Sequence, residues 1–95
     1  MDKSITSSDY RLFLRELRAA RKRSGLTQGD MAELLRETQS FVSKCERGER
    51  RIDVVELRAF CRAMGLSLPT FAQHLDRALS DTGGTVAAQK RALRK

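Results

Sequence analysis

The chain of 95 residues holds one proline, one histidine, two cysteines and no tryptophan. No apolar run approaches the roughly 18 residues that a membrane-spanning helix needs. The opening residues, MDKSITSSDY, lack the apolar core of a signal peptide. Both absences lead to the expectation of a cytoplasmic protein with no membrane partner. Cys45 and Cys61 form neither a C-x-x-C pair nor part of a Cys/His set, so the spacing offers no zinc site, and neither a metal nor a cofactor is expected. Each thiol falls on an apolar helical face, where free cysteine behaves as a small hydrophobe, and core filling is preferred over a redox-sensing pair. The lone histidine, His74, is expected at the surface or its boundary. No Ser/His/Asp arrangement, phosphate-cradling glycine loop or carboxylate pair beside a cleft can be assembled, so the residues support no enzymatic chemistry.

What the chain does have is positive charge and helical periodicity. Its length suits a single domain with a modest core. A net charge of +7 with 33% charged residues suits a polyanionic partner, although by itself it implies only nonspecific attraction. Residues 1–8 read as a flexible polar leader in which Ser7 or Ser8 caps the first helix. Tyr10, Phe13, Leu14, Leu17 and Ala20 then make a helical stripe that ends at Gly25. Arg11, Arg15 and Arg18 lie on its outer face and are read as solvated, whereas Arg21 falls on the buried side. Later helices start at Asp53, with Glu56 completing a capping box, and at Ser67, with Pro69 tolerated in the first turn. Their inward stripes are Leu57, Phe60, Cys61 and Met64, then Leu68, Phe71, Ala72 and Leu75. From Ser80 the pattern dissolves into a basic flexible tail, residues 80–95.

Between these elements, residues 26–51 read LTQGDMAELLRETQSFVSKCERGERR. Thr27 and Asp30 form the start signal of a short helix whose apolar face is Met31, Ala32 and Leu35. Thr38 caps a second helix, Gln39–Arg47, ended by Gly48. Only Val42 and Cys45, with the flank of Phe41, suit a core in that second helix. Gln39, Ser40, Ser43, Lys44 and Arg47 leave a long polar face of amide, hydroxyl and cationic groups, the groups that read base edges and phosphates. For Phe41, packing against the preceding helix leads slightly over contact with a thymine methyl.

This stretch resembles the helix-turn-helix of the lambda-repressor-like, Cro-type DNA-binding domains. The resemblance rests on Leu26, Thr27 and Gln28 followed by Met31 and Ala32, then on Gln39, Ser40, Val42, Ser43 and Lys44, then on Glu46 and Gly48. The turn departs from the pattern, with Arg36 where glycine is usual and Glu37 where an aliphatic residue is usual. Cys45 stands in place of a larger apolar residue.

The caps and stripes add up to an all-α body of five helices over residues 9–79 with no convincing strand, and the four- or five-helix context of the resemblance extends over about Tyr10 to Leu75. The resemblance implies a sequence-specific regulator of transcription, a repressor by preference, bound to double-stranded DNA as a homodimer. It implies an ion pair between Arg21 and Glu46. Gln28 is expected to touch a phosphate or brace Gln39, while Arg47, Arg50 and Arg51 clamp the backbone. The expected interface is Gln28, Thr38, Gln39, Ser40, Ser43, Lys44, Arg47, Arg50 and Arg51, with Gln39 first for adenine and Lys44 for guanine or phosphate. Phe71, Leu75 and Leu79 form the candidate dimer edge, or else close the monomer core. Two rival readings are an antitoxin whose tail folds on a protein partner and an adaptor that no longer reads DNA.

Overall fold

A computed structural model of the chain describes residues 7–81. Expectations for the leader before Ser7 and for the tail beyond Asp81, including its protein partner, lie outside them. Each described helix begins where a short polar side chain takes the place of a missing carbonyl. Helix α1, Ser8–Arg23, starts behind Ser7, whose Oγ accepts from the Tyr10 amide at 3.1 Å. Helix α2, Gln28–Leu35, starts in a complete capping box between Thr27 and Asp30. Thr38 caps α3, Gln39–Arg47, and a second capping box, Asp53 with Glu56, opens α4, Val54–Ala63. Helix α5, Leu68–Asp81, follows Ser67, whose Oγ accepts from the Thr70 amide. Such caps each contribute on the order of 1 kcal/mol. No strand occurs among the described residues.

The apolar stripes converge on one core. Phe13, Leu14, Leu17 and Ala20 of α1 meet Met31 and Ala32 of α2, Val42 and Cys45 of α3, and Phe60 and Cys61 of α4, with Phe71 of α5 closing one end. Both thiols are buried. Burying each large side chain contributes about 1.5–3 kcal/mol before chain entropy is set against it. Phe71 packs edge-on against Phe13, their ring centroids 6.1 Å apart. Ser24, at the end of α1, donates from Oγ to the Met64 carbonyl and ties α1 to the end of α4. No described helix is long and apolar enough to cross a membrane.

Several expectations need correction. Ser8 belongs to α1 rather than to a leader, and α5 includes Ser80 and Asp81, since neither is a proline or glycine that would break its backbone ladder. Ala72 is exposed, so the inward face of α5 is Leu68, Phe71 and Leu75. Phe71 is 1% exposed and closes the monomer core. It offers no surface to a dimer partner.

Candidate nucleic-acid interface

Helix α3 is set against α2 by a turn that this sequence makes in an unusual way. Arg36 takes the left-handed conformation, φ 59°, and is the one non-glycine residue at positive φ among those described. Its amide bonds to the Glu33 carbonyl at 3.1 Å, and the Glu37 amide reaches back to Ala32 at 2.9 Å. These two bonds satisfy carbonyls that the end of α2 would leave open. Arginine in this left-handed conformation, where glycine would be unstrained, costs about 1 kcal/mol. Thr38 follows in an extended conformation and caps α3.

From that start, α3 buries Val42, Cys45 and Glu46 and exposes Gln39, Ser40, Lys44 and Arg47. Positions 40, 44 and 47 are one turn apart, so these side chains share an outward face. Gln39 reaches over the start of α2, with its Oε1 3.9 Å from where a Cβ on Gly29 would lie. Two helix N-termini and a polar face thus come together on one side of the molecule.

The far end of α3 is anchored by a buried ion pair. Arg21 donates to Glu46 through Nε at 2.7 Å and Nη2 at 3.0 Å, and its Nη1 reaches the Leu26 carbonyl. Gln28 donates its side-chain amide to Glu46 Oε1 at 3.0 Å. It thus joins the ion pair, where bracing of Gln39 was one of its two expected roles. Arg18, read from sequence as part of a solvated face, donates to the Glu46 carbonyl at 3.1 Å. Its spacing of three from Arg21 was the available signal, since both then point from α1 toward α3.

The remaining expected residues divide by their partners. Arg47 grips both oxygens of Glu49, at 2.8 and 3.2 Å, and also donates to Ser43 Oγ. That contact holds the exposed Glu49 carboxyl below the ordinary carboxylate range. Arg50 is more firmly held. It bonds both oxygens of Glu56, at 3.0 and 2.8 Å, donates to the Arg51 carbonyl, and lies 4.8 Å from the centre of the Phe41 ring. Phe41 is half-buried against the core, as the packing reading expected. Arg51 lies over Tyr10, 5.4 Å from its ring centre, and the Tyr10 hydroxyl accepts from the Ile52 amide at 3.1 Å. The loop after α3 is thereby fastened to α1 and α4. Burial pushes both thiols above their ordinary range, which fits cysteine as a core residue. Glu49 and Glu56 were not singled out from sequence as partners of these arginines; spacings of two and six across a loop carry no periodic signal.

The comparisons with known proteins agree with this geometry. A family model described as a helix-turn-helix domain matches residues 12–74. Among solved structures, an XRE-family-like protein from Pseudomonas syringae pv. tomato str. DC3000 is 39% identical, with a TM-score of 0.70 over 75% of this chain and 87% of that one. The restriction-modification controller protein C.Esp1396I is 20% identical, with a TM-score of 0.71 over 77% of this chain and 97% of that one. The clp gene regulator ClgR from Corynebacterium glutamicum is 24% identical, with a TM-score of 0.69 over 93% of this chain and 89% of that one. These last two support the fold alone. The search of curated proteins gave no match. By its family match and its structural neighbours, the chain belongs to the helix-turn-helix family, in the XRE, Cro/lambda-repressor-like branch.

Proposed function

We propose that the protein is a sequence-specific regulator of transcription, a repressor by preference, that reads the major groove of double-stranded DNA with α3. The observation that carries this reading is the exposed polar face Gln39, Ser40, Lys44 and Arg47 on a helix anchored by a buried ion pair. A rigid helix with its N-terminal side chains free to meet base edges suits direct readout. Gln39 bonds adenine N6 and N7 through its amide, and Lys44 takes guanine or a phosphate. Ser40 and Ser43 supply hydroxyls. Thr38 holds the helix start, and Arg47 and Arg51 contact the backbone. Arg50 supports the loop from which Arg51 projects, a smaller role than the backbone clamp expected from sequence.

One short helix gives a small footprint, so the protein binds as a homodimer on half-sites about 34 Å apart. Leu75 and Leu79 on α5, both half-buried, are the candidate edge. Selection of bound duplexes from a random library at physiological salt tests the reading. A palindromic consensus lost on Gln39→Ala supports it. Binding that tracks salt with no enriched sequence removes it.

A further inference from the structure

The two exposed bidentate arginine–carboxylate pairs at the end of α3, Arg47–Glu49 and Arg50–Glu56, differ in kind. Arg50 makes four contacts with three residues, Glu56, Arg51 and Phe41, and acts as a strut. Arg47 and Glu49 are both about half exposed, at 53% and 54%, and their side chains are separated only by Gly48. Gly48, at φ 81°, turns the chain back on itself. The Glu49 amide then returns to the Lys44 carbonyl at 2.9 Å, which brings side chains 47 and 49 to one side of the turn. A carboxylate and a phosphate fill the same planar fork of a guanidinium. An exposed pair of this kind contributes little to stability and exchanges partners readily.

From this we infer that Glu49 is an internal phosphate surrogate that occupies Arg47 in the free protein and must be displaced when DNA binds, lowering affinity for duplexes of any sequence. The inference rests on the reading of α3 as a duplex-binding helix. The pair lines an open groove of about 570 Å³ shared with Arg11 and Arg18 of α1, so the fork faces a surface that other cations make attractive to phosphate. Glu46 also lines that groove, but Arg21 already occupies its carboxylate. In a chain of net charge +7, nonspecific attraction to DNA competes with search for a site. A carboxylate that must be displaced from Arg47 weakens that attraction by a sequence-independent amount and leaves discrimination to the base contacts.

The test is a double-mutant cycle on the full chain, with a fluorescent random-sequence duplex titrated across a range of salt. Glu49→Gln is expected to raise affinity about three- to tenfold near 0.1 M salt and to steepen the dependence on salt by about one counterion. In an Arg47→Ala background the same substitution is expected to lose most of that gain. An equal gain in both backgrounds would mean that Glu49 acts only through general charge, and no gain in either would mean that it does not compete with phosphate; both outcomes overturn the inference and leave the DNA reading standing. If the wild-type chain shows no salt-dependent duplex binding, the DNA reading fails and the inference falls with it.

Discussion

Arg21 on α1 and Glu46 on α3 meet through two parallel hydrogen bonds across a sequence separation of 25, with Glu46 only 2% exposed. Through this pair the first helix holds the end of α3. Removing one partner leaves a buried charge without its counterpart, at a cost of about 3–5 kcal/mol. Glu46→Gln and Arg21→Met are each expected to lower the urea midpoint sharply. The double variant Arg21→Met/Glu46→Met is expected to recover part of the loss. Singles that cost under about 1 kcal/mol would remove the pair as an anchor.

Gln39 and Arg51 are expected to fail differently. Gln39→Ala relaxes preference at one base position by about 1–3 kcal/mol and leaves random-duplex affinity nearly unchanged. Arg51→Ala weakens every duplex and reduces the salt slope by about one. Competition binding with single-base operator variants separates the two. Equal losses for Gln39→Ala on the selected site and on random DNA would refute its role in readout.

Arg36→Gly is expected to stabilise the fold. Glycine adopts a positive φ without the Cβ clash, which recovers about 0.5–1 kcal/mol after its greater unfolded-chain entropy is counted. In a domain of this size, that corresponds to a rise of roughly 2–8 °C in melting temperature. A fall in Tm would mean that the arginine side chain contributes more than its backbone costs.

Glu56 links stability to pH. Hydrogen bonds from Arg50 and then from the Asp53 amide hold its carboxyl below the ordinary 4.5. A group whose folded pKa is depressed stabilises the fold fully above its unfolded pKa, and that contribution is lost as pH falls through the folded value. Urea midpoints measured from pH 6 downward are therefore expected to decline below about 4.5, and to decline less steeply in Glu56→Gln. Identical slopes in the two proteins would show that the Arg50–Glu56 pair does not contribute.

Much of this fold was legible because its signals are local. Ser7, Thr27, Thr38, Asp53 and Ser67 mark helix starts by side chains that bond amides three residues on, and the apolar stripes repeat at helical spacing. The same locality explains the misreadings. Periodicity could not show that Ser80 and Asp81 continue α5, because a polar end without a breaker looks like a tail. Nor could it show that Ala72 faces water, because alanine suits either face.

The sequence by itself determined the five helices, the polar face of α3 and, by resemblance, the helix-turn-helix family, since caps, periods and motif spacing all lie within short stretches of chain. Only the tertiary structure decided which arginines serve the fold and which face outward. Arg18, Arg47, Arg50 and Arg51 are equivalent as cations in a sequence. They differ in their partners: helix packing brings the Glu46 carbonyl of α3 to Arg18, the Glu56 carboxylate of α4 to Arg50 and the Tyr10 ring of α1 to Arg51, whereas Arg47 meets Glu49 across the turn at Gly48.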